Sequence, residues 1–336
     1  MDSLAAAACP DCGSELGPGL LACPRCARLV HAETLKDLAA QAERAQREGD
    51  AVAALTAWRR ALELLPPDAR QHAVVLAKVQ ALSERAEAPA PTRGGWAKGA
   101  AGLGALGLLL WKFKAVAAFV LTKGKFLLLG LTKASTFFSM ILAVGAYWAL
   151  WGWRFALGFV LCLYVHEMGH VWMLRRYGLA ASAPLFIPGL GAFIRLRQTL
   201  TTPREDARMG LAGPLWGMAA SAACLGVYAL TDFPFWAALA RFNAWVNLFN
   251  LLPLWQLDGS RGFRALTRGQ RWIATGLLLG AYLWVGDGLL LLIALTAGVR
   301  AWGGDAAPQA DRIALLQYGL LVVVLSAGLK LPVPLP

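Results

Sequence analysis

Charged residues are scarce in this chain, and their scarcity excludes an ordinary soluble protein. Asp, Glu, Lys and Arg make up 15% of the 336 residues, whereas 58% are hydrophobic. Soluble globular proteins carry roughly 25% charged residues. The 32 Lys and Arg outnumber the 20 acids, but they cluster beside apolar segments, as positive-inside membrane topology predicts. We therefore expect a lipid bilayer as a partner, and no nucleic acid.

The apolar residues are unevenly distributed along the chain. Residues 1–98 hold most of the acids and lack an apolar run long enough to span a bilayer. From Gly99 onward, long apolar segments alternate with short basic or Gly/Pro breaks. This pattern predicts a polytopic α-helical membrane protein with about 6–7 transmembrane helices. The first residues, MDSLAAAACPDC, lack the basic region of a signal peptide, so we expect a cytosolic N-terminus.

Cysteine is also scarce, yet four of the six cysteines form two closely spaced pairs. Cys9 and Cys12 make one Cys-x-x-Cys motif, and Cys23 and Cys26 make the other. Two tight turns carrying Pro and Gly would bring four thiolates to one tetrahedral structural zinc. The arrangement resembles a short zinc ribbon at 1–30, which would fold only with its metal. Redox-active or unpaired thiols are the alternative reading of these residues.

The next segment, 31–88, is rich in Ala, Leu, Glu, Arg and Gln, which are strong helix formers. Its helical pattern breaks at Gly49-Asp50, and the small residues Ala42, Ala54 and Ala61 permit close helix contact. The segment resembles one tetratricopeptide repeat, and a plain helical hairpin is the alternative. A Pro/Gly-rich linker follows at 89–98. We expect the ribbon and the helical region to bind a protein partner.

Two stretches of the apolar part do not have the pattern of ordinary spanning helices. The 99–134 segment is apolar but contains five lysines, which predicts an interfacial or partly inserted basic segment. The 184–197 segment has short apolar runs around Pro188, Gly189 and Gly191, which predicts a β-hairpin. Such backbone enters a bilayer only where protein or a cavity satisfies its polar groups.

Histidine is the scarcest of the metal-binding residue types, with four in the chain, and two of them lie in FVLCLYVHEMGHVWMLRR at 159–176. On a helix, His166 and His170 lie one turn apart on one face, where both imidazoles can bind one zinc. Glu167 projects about 100° round the helix from His166, so it lies beside the metal and can act as a base. A pair of core histidines with a neighbouring acid is a poor alternative, because ionisable groups in an apolar helix need partners.

A catalytic zinc takes three protein ligands and keeps one open position, so a third ligand is required. His31 and His72 lie in the soluble part. Asp258, in NLFNLLPLWQLDG at 247–259, is the best remaining candidate. Pro253 breaks the preceding helix, and Gly259 permits a sharp turn after the acid. Alternation of the spans from a cytosolic Arg175-Arg176 brings Asp258 to the same leaflet as the two histidines.

Three stretches together resemble one known family: HEMGH at 166–170, AGPLWG at 212–217 and NLLPLWQLDG at 250–259. They resemble the site-2 protease family of intramembrane zinc metalloproteases, over about 135–270. The resemblance implies that His166, His170 and Asp258 bind the catalytic zinc and that Glu167 is the base. It also implies cleavage within the membrane near its cytosolic side.

The same resemblance implies a re-entrant β-hairpin that pairs with the unwound substrate. The 184–197 hairpin would fill that place, with Gly191 and Phe193 as candidate substrate contacts. Phe193 is equally well a core residue. Asn250 is a candidate for substrate binding by its place in the motif, whereas Asn243 and Asn247 on the same helical face suit helix–helix hydrogen bonds as well.

The predicted organisation therefore has a ribbon, a helical region and a linker before the membrane part, with the core at 135–270 and C-terminal transmembrane helices at 271–336. We expect a zinc metalloendopeptidase with one catalytic and one structural zinc, acting on single-span membrane proteins in a bacterial inner membrane. Two alternatives stay open: a non-proteolytic zinc-binding scaffold or regulator, and a transporter.

Overall fold

The computed structural model describes residues 7–87, 134–180, 184–187, 191–193 and 202–331. The predicted linker at 89–98 lies outside these residues, as does the basic 99–134 segment apart from its last residue. The described chain divides into two compact units. One unit holds the residues up to 87 together with Arg175–Ala180, and the other holds the remainder.

The N-terminal unit starts with a small β-structure and continues as three helices. Strand β1 (Ala7–Ala8) pairs antiparallel with β2 (Glu15–Leu16). The helices are α1 (Ala32–Arg47), α2 (Ala51–Glu63) and α3 (Arg70–Glu87).

The first two helices form the expected hairpin, and local chemistry explains its turn. Gly49 takes a positive φ of 78°, which a glycine adopts without strain. Asp50 then caps α2, because its side chain accepts a hydrogen bond from the Ala53 amide at 2.9 Å. Ala42 and Ala54 are fully buried, so the two helix backbones approach closely around Trp58.

The second unit is built from eight described helices. They are α4 (Ala134–Trp151), α5 (Trp153–Arg176), α6 (Pro203–Thr231), α7 (Pro234–Asn250), α8 (Asp258–Arg264), α9 (Arg268–Val285), α10 (Gly288–Trp302) and α11 (Arg312–Leu329). Among the described residues, α4, α5, α6 and α11 are long and apolar enough to cross a membrane, and α10 is a shorter apolar helix. The chain is thus a helical membrane protein, while the count of about 6–7 spans stays a prediction.

A two-stranded hairpin lies within the predicted 184–197 segment. Strand β3 (Leu185–Ile187) pairs antiparallel with β4 (Gly191–Phe193), with Phe186 opposite Ala192. Helix α4 holds β3 in place: Thr136 Oγ1 donates to the Pro184 carbonyl at 2.8 Å, and the Phe186 amide donates to Ser139 Oγ at 3.1 Å. Entry of this hairpin into the bilayer stays a prediction.

Two apolar clusters form the core of this unit, and both include residues of α6 and α7. One cluster joins these helices to α8–α11 through residues such as Leu211, Leu248 and Phe263. The other joins them to α4 and α5 through residues such as Met168 and Trp216. Because α6 and α7 belong to both clusters, they hold α5 and α8 in a defined geometry.

Candidate metal centre

The two histidines of the HEMGH motif lie on one face of α5, as the helical spacing predicts. Both side chains are buried. Their Nε2 atoms are 3.2 Å apart. Because α5 is long and apolar enough to cross a membrane, these polar groups lie where an unpartnered polar atom is strongly unfavourable.

Asp258 completes a three-residue cluster from a different part of the chain. Helix α7 ends at Asn250, the chain turns through Pro253, and Asp258 begins the short helix α8. Its Oδ2 lies 3.1 Å from His166 Nε2, and its Oδ1 lies 3.3 Å from His170 Nε2. Three donor atoms of the types that zinc prefers therefore converge on one point.

The prediction that Gly259 permits a sharp turn after Asp258 is wrong, although a glycine is needed at this position. This glycine is not among those with a positive φ, so it does not permit a sharp turn. A Cβ at Gly259 would instead lie 1.9 Å from the Leu251 carbonyl oxygen. A residue without a side chain is needed here because the first turn of α8 packs directly on the end of α7.

The hydrogen bonds on the far side of each imidazole fix the orientation of the rings. His170 Nδ1 lies 2.8 Å from the Met209 carbonyl, which can only accept, so Nδ1 carries the proton. His166 Nδ1 lies 2.8 Å from Asn247 Oδ1, which also accepts. When both rings are neutral, the lone pairs of their Nε2 atoms face the Asp258 carboxylate. A bound cation is the group that satisfies the two nitrogens and the carboxylate together.

Two glycines of α6 leave the room that this arrangement needs. A Cβ at Gly213 would lie 2.2 Å from His170 Nε2 and 2.6 Å from His166 Nε2. A Cβ at Gly217 would lie 2.0 Å from Asn247 Oδ1. The AGPLWG stretch thus places bare backbone beside the cluster at Gly213 and Gly217, and the three donor atoms that converge there are of types that bind a metal ion.

The other predicted site residues have defined places, and their roles stay predictions. Glu167 lies on α5 between the two histidines, with 8% of its surface exposed. Asn250 is half-buried in the last turn of α7. Gly191 and Phe193 are the end residues of β4, opposite Ile187 and Leu185.

Sequence reasoning missed Asp206, which anchors α8 near the start of α6. Its two carboxylate oxygens pair with Arg261 and Arg264 of α8, each at 3.1 Å. The pairing holds the helix that begins with Asp258. An acid in the first turn of a helix carries no sequence signal for this role, because its partners lie on another element.

The four N-terminal cysteines form a second cluster, which fits a zinc ribbon. The Sγ atoms of Cys9 and Cys26 are 3.6 Å apart, and those of Cys12 and Cys23 are 3.5 Å apart. A tetrahedron with Zn–S distances of about 2.3 Å has edges of about 3.8 Å, close to this spacing. The hydrogen bond with Ser14 lowers the pKa of the Cys12 thiol to about 6, which favours the thiolate that binds zinc.

Comparison with known proteins finds one family. The model of "Peptidase family M50" matches residues 154–234, which include His166, Glu167, His170 and the AGPLWG stretch. Asp258 lies beyond the matched residues, so its assignment depends on the geometry given above. No solved structure matches the chain.

Two curated relatives are similar to the chain over about a third of its length. "Zinc metalloprotease MJ0392" of Methanocaldococcus jannaschii is 30% identical over 122 residues, which are 34% of this chain and 34% of the relative. "Putative zinc metalloprotease Rip3" of Mycobacterium tuberculosis is 33% identical over 138 residues, which are 36% of this chain and 34% of the relative. The chain thus matches about a third of the length of each relative.

Proposed function

Because residues 154–234 form a Peptidase family M50 domain, we propose that this chain is an intramembrane zinc metalloprotease of the site-2 type. Its substrates would be single-span membrane proteins, cut near the cytosolic face. The observation that carries the proposal is that His166 and His170, which flank Glu167 on a helix apolar enough to cross a membrane, converge with Asp258 of α8.

The residues divide into ligands and a base. His166 Nε2, His170 Nε2 and the Asp258 carboxylate would hold the zinc. A zinc bound there supplies a Lewis acid that activates water and polarises a peptide carbonyl. Glu167 takes a proton from the attacking water at its carboxylate and then passes that proton to the nitrogen of the leaving amine. Because Glu167 is nearly buried, its carboxylate is largely shielded from bulk water.

Substrate presentation requires an extended chain. A transmembrane helix bonds its own carbonyls, so the substrate must unwind before cleavage, and an exposed strand edge can then hold it by β-augmentation. The outward amide of Phe186 in β3 is engaged by Ser139. We therefore assign β4 as the edge that pairs with substrate, through the backbone groups of Ala192, which lies opposite Phe186. Gly191, Phe193 and Asn250 remain candidate contacts with the substrate.

The proposed orientation places the N-terminus in the cytosol of a bacterial cell, with the protein in the inner membrane. The basic residues at the end of α5 and along α8, such as Arg175, Arg176 and Arg264, support this side under the positive-inside rule. The ribbon and helical region would then meet protein partners in the cytosol.

The test uses Glu167→Gln in purified full-length protein, reconstituted in liposomes with a single-span peptide that contains a central Gly-Pro. Wild type should cleave the peptide, and the chelator-treated protein should not. Glu167→Gln should keep its zinc and lose cleavage at least 100-fold, because the amide cannot accept the proton. Mass spectrometry of the products measures both rate and cleavage site.

The control is Glu63→Gln, which removes an exposed acid at the end of α2 and should leave cleavage unchanged. Cleavage that persists in Glu167→Gln would exclude the proposed base. A His166→Ala variant that keeps all of its zinc would exclude the proposed metal site and favour the scaffold or transporter alternative.

A further inference from the structure

We infer that Asn247 is a positioning residue for the metal centre: it fixes the tautomer and the orientation of His166. This inference rests on the proposed function, because it concerns the same zinc site. Asn247 lies on α7, three residues before the NLLPLWQLDG stretch begins at Asn250. Its side chain is fully enclosed, with 1% of its surface exposed.

The first argument is the direction of the Asn247 amide. Its Nδ2 donates to the Asn243 carbonyl at 2.8 Å and to Asn243 Oδ1 at 3.1 Å. The amide oxygen must therefore face the other way, where it lies 2.8 Å from His166 Nδ1. An oxygen in this place accepts a hydrogen bond from Nδ1–H, which keeps the proton on Nδ1 and leaves the Nε2 lone pair for a metal.

The second argument is that the amide of Asn243 is itself held. Its Nδ2 donates to the Gly217 carbonyl and to Ser221 Oγ, both at 2.8 Å. These contacts leave Asn243 Oδ1 as the acceptor for Asn247. A chain of hydrogen bonds thus runs from α6 through both asparagines to His166, so none of its members is free to flip.

The third argument is the room made for the Asn247 amide. A Cβ at Gly217 would lie within 2.5 Å of three Asn247 side-chain atoms: Oδ1, Cγ and Nδ2. The helix α6 therefore has no side chain where the amide lies. A helix–helix contact made for packing alone does not require this gap.

The two histidines are supported in different ways, and this difference has a consequence. His170 Nδ1 donates to the backbone carbonyl of Met209, which no single substitution removes. His166 Nδ1 donates instead to the side-chain oxygen of Asn247, which a substitution can remove. His166 is therefore the ligand whose ring orientation can be disturbed by replacing its hydrogen-bond partner.

The experiment compares Asn247→Leu with Asn247→Asp in full-length protein. Leu is close to Asn in size but accepts no hydrogen bond. Asp keeps an oxygen toward His166 and places its other oxygen against the Asn243 carbonyl, so it loses the helix contact. If Asn247 positions His166, Leu should weaken zinc binding roughly 10–100-fold, whereas Asp should stay close to wild type although its thermal stability falls.

Zinc affinity is measured by competition with a chelator of known affinity, and the Co²⁺ absorption spectrum reports the ligand geometry. The zinc retained by His166→Ala gives the ribbon contribution, which is subtracted. Gln270→Leu is the matched control, since it replaces a buried amide that bonds the Asp311 backbone and no histidine. It should lower thermal stability and leave zinc affinity nearly unchanged.

Gly217→Ala is a second test of the inference, because it keeps the Asn247 amide but displaces it. This variant should weaken zinc binding as Asn247→Leu does. Equal zinc affinity in the Leu and Asp variants, or unchanged affinity in folded Gly217→Ala, would overturn the inference while leaving the protease proposal intact. If His166→Ala kept all its zinc, the proposed function would fail, and the inference with it.

Discussion

At Gly213, a hydrogen atom occupies the position where any other residue carries Cβ, 2.2 Å from His170 Nε2. That spacing is far below van der Waals contact. Gly213 lies on α6, whose backbone is held in place because the helix belongs to both apolar clusters. The site thus depends on the absence of a side chain at Gly213 of α6 as much as on the ligands that α5 supplies.

We expect Gly213→Ala to abolish zinc binding at the membrane site, because its methyl group would overlap both Nε2 atoms. Metal analysis of the purified variant measures the loss, and the ribbon zinc should remain. Gly276→Ala is the matched control: its Cβ would meet nothing within 4 Å. Full zinc content in a folded Gly213→Ala variant would show that the cluster is not the metal site.

At the scale of the elements, arginine–carboxylate pairs hold the ends of the helices together. Arg271 of α9 is completely buried. It donates to the Phe263 carbonyl of α8 at 3.2 Å, to the Arg300 carbonyl of α10 at 2.8 Å and to Asp305 Oδ1 at 2.7 Å. Asp206 holds the other side of α8. The helix that presents Asp258 is therefore fixed from two directions.

The Asp305 pair gives a pH-dependent prediction. The hydrogen bond from Arg271 lowers the pKa of Asp305 below its ordinary value of 3.8. A lowered native pKa contributes stability above the unfolded pKa, and this contribution is lost as the pH falls through the native value. Asp305→Asn should therefore lower the thermal midpoint at about pH 7, and the difference from wild type should shrink as the pH falls below the unfolded pKa and through the lowered native one.

Thermal unfolding in a non-ionic detergent measures this difference. Asp287→Asn is the control, because an amide oxygen caps α10 as the carboxylate does. A difference between wild type and Asp305→Asn that persisted undiminished into strong acid would contradict the electrostatic account.

At the scale of the whole molecule, the part of the chain that the structure describes contains two candidate metal clusters of different chemistry, one in each unit. The four thiols suit a closed structural site, whereas two imidazoles and one carboxylate leave a fourth position open. We expect two zinc ions per wild-type chain and one in either Cys23→Ala or His170→Ala. Metal analysis of the purified proteins tests this count. Loss of both ions from either variant would show that the sites depend on each other.

Part of the site could be predicted because its residues are close in sequence. His166, Glu167 and His170 follow from helical spacing, and the cysteine pairs follow from their motifs. Asp258 could be nominated from its place after an apolar helix, and the β-hairpin from its Pro/Gly pattern. Gly259 was assigned a turn, whereas it makes a close contact, because sequence does not distinguish the two uses of glycine.

The sequence by itself determined the membrane class of the chain, the imidazole pair with its acid, and the four-thiol ribbon, since each depends on local composition or spacing. Only the tertiary structure decided that Asp258 meets both histidines, that Gly213 and Gly217 leave room for the cluster, and that Asn247 and Met209 hold the rings. These relations depend on how α5, α6, α7 and α8 pack. Hydrogen bonds and close contacts between separate helices leave no periodic pattern along the chain.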